Sequence, residues 1–137
     1  MSQRHAGFRE HAHTADWELE VWASDLSELF VQAARGMYAL SGVCLQPAPR
    51  LSRAVDLQSS DPEGLLVKFL SELLYLIEME GLAFDTFDLK LDHDHLLAGL
   101  EGAPLASIKK EIKAVTYHRL LIRPTQQGVT VRIVFDV

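Results

Sequence analysis

The chain has 137 residues, 48% apolar side chains and a formal net charge of −6, from 13 Lys and Arg against 19 Asp and Glu. Such a balance describes one domain, residues 1–137, able to bury its own core, and no tract reaches the ~20 consecutive apolar residues that a membrane helix needs. A lone cysteine, Cys44, excludes an internal disulfide framework and a thiolate zinc cage, and Met1-Ser2-Gln3-Arg4-His5 lacks the apolar segment of a secretion signal, so the expected compartment is the cytoplasm.

In chain order, Trp17-Glu18-Leu19-Glu20-Val21 alternates apolar and acidic residues, the period of a half-buried strand. Asp25 is placed to cap a helix, with Glu28 completing a capping box. Leu26, Leu29, Phe30, Ala33, Met37 and Leu40 follow at helical spacing, and Gly42 stands where that helix should stop. Gln46-Pro47-Ala48-Pro49-Arg50 reads as a loop and Leu51–Leu57 as a strand. Asp61 caps a second helix with Pro62 at its first position; Leu66, Phe69, Leu70, Leu73, Leu74 and Ile77 form its apolar stripe, and Gly81 ends it. Strands are predicted over Ala83–Leu91, about His95–Leu100, Ile112–Arg123 and Val129–Val137, with a hairpin loop at Thr125-Gln126-Gln127-Gly128. Strand, helix, strand, helix and a run of strands predict an α+β fold: a two-layer sandwich whose open, largely antiparallel or mixed sheet carries both helices on one face.

The last strand puts Val129, Val131, Ile133 and Phe135 on one face and Thr130, Arg132 and Asp136 on the other. In the first, Trp17, Leu19 and Val21 take the apolar side and leave Asp16, Glu18 and Glu20 opposite. Asp16 and Asp136 therefore both project away from the apolar side, and they meet only if their strands are neighbours, which periodicity does not decide. Two adjoining carboxylates repel unless a cation lies between them, and oxygen-only ligands suit Ca2+, Mg2+ or Mn2+ rather than zinc. Val137 adds a carboxylate and a carbonyl oxygen. On residue types alone, a turn cap at Asp16 and a solvated strand end at Asp136 explain the same pattern.

Capping, at about 1 kcal/mol, accounts for Asp61, and the helix dipole accounts for Glu63 in the first turn; the functional alternative has both facing the same acidic site. His11 and His13 suit one strand face for a transition metal, although His5 and His11 are read as solvated. Asp92-His93-Asp94-His95 is a polar turn before it is a metal tract. Lys113 shares a strand face with Tyr117 and Arg119, opposite His118. That patch suits a phosphate or a partner's carboxylate, beside the plainer reading of a snorkelling lysine. Cys44 is expected to be a buried thiol. No serine has a Gly-x-Ser-x-Gly setting and no Gly-Lys-Ser/Thr loop occurs, so no catalytic residue is assigned. The basic residues are scattered, with Lys109, Lys110 and Lys113 interrupted by Glu111, so strong direct nucleic-acid binding is not expected; an acidic surface favours metal ions or a basic protein.

Four words in order, His13-Thr14-Ala15-Asp16, Asp61-Pro62-Glu63-Gly64-Leu65-Leu66, Ile112-Lys113-Ala114-Val115-Thr116-Tyr117-His118 and Phe135-Asp136-Val137, resemble the archease family, accessory proteins of RtcB-type RNA ligases. The likeness runs from about Gly7 to Val137, through the second helix and Glu80-Gly81-Leu82. It implies a metal site of Asp16, Asp136 and Val137, with Ca2+ first and Mg2+ or Mn2+ as alternatives. It also implies support or partner-binding roles for His13, Asp61, Glu63 and Lys113. The implied role is non-catalytic and chaperone-like: stimulation of guanylylation and multiple turnover of an RtcB-type RNA ligase in tRNA splicing or RNA repair, with the ligase as partner and no membrane involved. Trp17-Glu18 and the additional His11 depart from the family pattern. Two other classes remain open: a metal-dependent phosphoester hydrolase built on Asp16, Asp61, Asp136 and His13, and a metal-free acidic interaction module.

Overall fold

Both helices are punctuated as the sequence predicts. In the computed structural model, which describes residues 6–12 and 17–137, α1 spans Leu26–Ser41 and α2 spans Pro62–Glu80. Asp25 Oδ1 accepts the Glu28 N–H at 2.8 Å and Asp61 Oδ1 accepts the Gly64 N–H at 2.7 Å. Each carboxylate satisfies a donor that the first helical turn leaves open. Gly42 and Gly81 close the helices at φ 66° and 64°, the left-handed region that glycine enters at least cost.

The strands are β1 (Gly7–Ala12), β2 (Trp17–Ala23), β3 (Cys44–Leu45), β4 (Leu51–Gln58), β5 (Leu82–Leu91), β6 (His95–Ser107), β7 (Ala114–Val115), β8 (Arg123–Thr125) and β9 (Gly128–Asp136). Every pairing among them is antiparallel. The fold is α+β, and its strands divide into two sheets rather than one. The first runs β1-β2-β9, with β7 and β8 pairing with opposite ends of β9; the second is built on β6, which pairs with β3, β4 and β5.

The reason for two sheets lies in α2. Leu65, Leu66, Val67, Phe69, Leu70, Leu73 and Leu76 are all buried, and these positions wrap more than one helical face. A helix apolar on several sides needs cover on several sides. It packs on β4, β5 and β6, on β7, and on α1, while α1 lies on β1 and β2 and reaches β5. Phe30 and Phe69 stack at the centre with ring centroids 5.9 Å apart, and Phe87 meets Phe69 edge-on at 6.4 Å. At Gly102 the two strands approach so closely that an added Cβ would overlap the Ala83 carbonyl oxygen and lie 2.6 Å from Phe84 Cα. Glycine there allows the register shift between Phe84 and Thr86.

Two expectations need correction, and one element goes unread in the sequence. The strand predicted over Ile112–Arg123 is two short strands, β7 and β8, separated by an excursion over 116–122. Leu120 N–H turns back to the Tyr117 carbonyl at 3.1 Å, and Arg119 sits at φ 54°, so the extended conformation ends after Val115. The thiol of Cys44 is exposed, because β3 is a two-residue strand and α1 has already ended at Gly42. Strand β1, which the periodicity does not reveal, pairs with Trp17–Trp22 of β2.

Candidate metal centre

The site is positioned by the pairing of an early strand with the last one. β2 and β9 are neighbours in antiparallel register, with Trp17 opposite Phe135, Leu19 opposite Ile133 and Glu20 opposite Arg132. Leu19, Val21, Val131, Ile133 and Phe135 turn into the core, leaving Glu18, Glu20, Arg132 and Asp136 on the other face. Asp136 is exposed, and its carboxylate has no hydrogen bond or ion pair among the described residues. Its carbonyl oxygen accepts the Lys113 N–H at 2.7 Å, and Ala114 is its partner across β7. Val137 is half-buried and packs against the core.

His13 and Asp16 lie outside the described residues, as do Thr14 and Ala15. The described members of the expected ligand set are thus Asp136 and Val137. Both offer oxygen alone, which fits a hard divalent cation in kind. Among the described residues there is no group of three or more His, Cys, Asp and Glu suited to holding a metal.

The second helix and the 116–122 excursion are tied to one another. Asp61 spends one carboxylate oxygen on its helix cap. Glu63 does more than occupy the first turn: its Oε2 accepts the Ile122 N–H at 2.9 Å, across 59 positions of sequence. Nothing in the sequence signals that contact, since Glu63 already has a local explanation. Thr116 anchors the other end, with its N–H and hydroxyl donating to the Val134 carbonyl at 3.0 and 2.9 Å, while its Oγ1 accepts the His118 N–H at 3.3 Å. Tyr117 and Leu121, 61% and 52% exposed, are held outward by this clamp. Lys113, Tyr117 and Arg119 therefore do not share a strand face, because the strand that would align them stops at Val115. Lys113 is exposed beside the Asp136 main chain.

The outer face of the first sheet is a charge ladder. Arg132 pairs with Glu18 at 2.5 Å and reaches Glu20 at 4.0 Å; Arg9 lies 4.0 Å from Glu20 on the opposite side. The Glu18 hydrogen bond holds the Arg132 guanidinium in its charged form even more firmly than usual. His11 is paired rather than merely solvated, with Nε2 3.1 Å from Glu20 Oε1. Lys110 Nζ stands 5.0 Å from the centroid of the Trp17 ring, a cation–π contact that holds the 109–110 segment against β2. Asp92-His93-Asp94-His95 is the β5–β6 turn, closed by the Asp92 N–H to the His95 carbonyl at 2.8 Å, with His95 paired to Asp56.

Two antiparallel sheets around a pair of helices define a class of small α+β domain with solved representatives. The solution structure of Methanobacterium thermoautotrophicum protein 1598 matches 96% of this chain and 99% of its own, with TM-score 0.71 and 25% identity. The crystal structure of a Thermotoga maritima archease, described as a possible chaperone, shares the fold at TM-score 0.67 and 20% identity, over 100% and 98% of the two chains. The chain belongs to the archease family: the model of the Archease protein family (MTH1598/TM1083) matches residues 8–137. Similar proteins include protein archease of Pyrobaculum neutrophilum, 33% identical over 96% of both chains, and that of Methanosarcina barkeri, 32% identical over 100% of both.

Proposed function

We propose that this protein is a non-catalytic accessory factor that binds a divalent cation and stimulates guanylylation and multiple turnover of an RtcB-type RNA ligase in the cytoplasm, in tRNA splicing or RNA repair. The observation that carries the reading is the β2–β9 register. Trp17, which follows Asp16 in sequence, is paired with Phe135, which precedes Asp136.

Asp16, Asp136 and the main-chain oxygens of Val137 would hold the ion, with Ca2+ first and Mg2+ or Mn2+ as alternatives. When bound, the ion supplies Lewis-acid stabilisation for charge on the nucleotide phosphates of the ligase. The residues of this chain do the positioning. The Lys113 N–H fixes the Asp136 carbonyl and so the stretch of backbone that carries the carboxylate. The Lys113 ammonium, exposed beside it, presents a positive charge to a partner's carboxylate or phosphate. His13, adjoining in sequence, is assigned to orienting Asp16 by hydrogen bonding. Glu63 and Asp61 support the site from α2, the first by tethering Ile122 and the second by starting the helix.

The test is a guanylylation and multiple-turnover assay with a cognate ligase, with and without Ca2+. Asp16→Ala and Asp136→Ala are each expected to abolish stimulation while leaving the melting transition in place. Full stimulation by the double variant overturns the proposal, as does phosphoester hydrolysis by the purified protein alone.

A further inference from the structure

A groove of about 470 Å³ lies between the 116–123 segment and the outer face of the first sheet, within the size range of ligand-binding clefts. Its floor carries Glu18, Glu20 and Arg132, and its wall carries Arg119, Leu121 and Arg123. The floor charges are occupied with one another, Arg132 against Glu18 and Glu20. The wall charges are not: among the described residues, Arg119 and Arg123 make no ion pair and no side-chain hydrogen bond. Two uncommitted guanidinium groups thus face one cleft on a chain whose net charge is −6. Arg119 also holds a left-handed backbone, φ 54°, where glycine or asparagine would be less strained. The segment that carries it is clamped at both ends, by Thr116 on Val134 and by Glu63 on Ile122.

We propose that this groove binds an extended, acidic peptide segment of a protein partner. Arg119 and Arg123 take its carboxylates in forked pairs, and the exposed Leu121 covers an apolar side chain between them. The floor argues against a nucleic-acid strand. A phosphodiester backbone would lie over two carboxylates, and two arginines neutralise too few successive phosphates to hold it. A peptide can carry its negative charge sparsely and keep its carboxylates at the wall, away from the floor. The proposal does not depend on a metal ion.

The experiment is fluorescence anisotropy of a labelled peptide of repeating Glu-Ser-Leu-Ser, which in extended form puts Glu and Leu on one face with Leu between successive Glu, titrated with the full chain in EDTA. The same peptide with Gln for Glu and a labelled oligouridylate serve as comparisons. Saturable binding of the acidic peptide is expected, weakened at least about tenfold by Arg119→Gly with Arg123→Gln. Arg119→Gly suits the left-handed backbone, so the variant is expected to melt no lower than the parent, and lost binding would not reflect lost folding. Absence of saturable binding, equal affinity for the Gln peptide, an unchanged affinity in the double variant, or preferential binding of oligouridylate in the groove would each overturn the proposal.

Discussion

Glu63 gives the sharpest test of how α2 and the 116–122 segment work together. Its carboxylate accepts the Ile122 N–H at 2.9 Å, and Ile122 is half-buried and belongs to no strand. A hydrogen bond to a charged group contributes about 1.5–3 kcal/mol when well buried, and partial exposure to solvent brings the expected figure to about 1–2 kcal/mol. Removing a negative charge from the first helical turn costs a further ~0.5 kcal/mol. Glu63→Ala should therefore lower stability by about 2 kcal/mol, equivalent to a melting point several degrees lower for a chain of this size. Glu63→Gln keeps an acceptor and loses the charge, so about half that loss is expected. Amide hydrogen exchange isolates the contact from the dipole effect: the Ile122 amide should be protected in the parent protein and exchange much faster in Glu63→Ala, while amides in the middle of α2 follow only the global change. An Ile122 amide that exchanges at the unfolded-chain rate in the parent, or at an unchanged rate in the variant, would refute the tether. So would equal losses for Ala and Gln.

Asp136→Asn should leave the fold within about 0.5 kcal/mol, since the side chain is exposed, while calorimetric titration with CaCl2 loses its stoichiometric heat. Asp61→Ala should cost about 1 kcal/mol by melting, and Asp61→Asn little; if Asp61 serves only as a cap, ligase stimulation by Asp61→Asn should equal that of the parent. Gly102→Ala forces a methyl into the Ala83 carbonyl oxygen and should destabilise severely, by about 3 kcal/mol or more in denaturant unfolding; a loss below 1 kcal/mol would show that β5 and β6 are not so close. Burial pushes the Tyr38 phenol above its ordinary value of 10.0, despite the Phe84 N–H that its oxygen accepts. The folded state therefore keeps a proton that the unfolded state releases. Stability from this group is intact below pH 10 and falls as pH rises beyond it, so Tyr38→Phe should flatten the alkaline limb of the stability curve.

What could be read from the chain follows how local each signal is. Both helices were legible to their caps because Asp25, Glu28, Gly42, Asp61, Pro62 and Gly81 act within a few residues of themselves. The hairpin around Gln126-Gln127 was legible for the same reason. The split into two sheets was not, because it depends on how many sides of α2 require cover and on β6 taking three partners, facts of packing rather than of period. The Ile112–Arg123 stretch misled because it holds many β-forming residues and no glycine or proline, while the turn is imposed by Thr116, the Arg119 backbone and a glutamate 59 positions away. Cys44 misled because neighbour composition says nothing about lying on a two-residue strand. Of the candidate site, the facing of Asp136 was legible from the two-residue period of β9. The adjacency of β2 and β9 was not, since the two strands lie more than a hundred residues apart in the chain.

That adjacency links the core to the proposed chemistry. In an antiparallel pair a slip of one residue turns every side chain to the opposite face. A slip of β2 would drive Leu19 and Val21 into water, and a slip of β9 would do the same to Val131, Ile133 and Phe135; each is at most 2% exposed. Exposing even two such side chains costs roughly 3–6 kcal/mol, comparable to the whole stability of many domains. The register is therefore held by apolar residues that take no part in any binding event. With the register held, Trp17 must face Phe135, and the residues just outside that pair, Asp16 on one chain segment and Asp136 on the other, are the ones a shared cation would require. A core substitution such as Ile133→Asn should accordingly weaken both folding and calcium binding, whereas Asp136→Asn should weaken calcium binding alone. If the two variants gave the same separation of effects, the register would not be what positions the site.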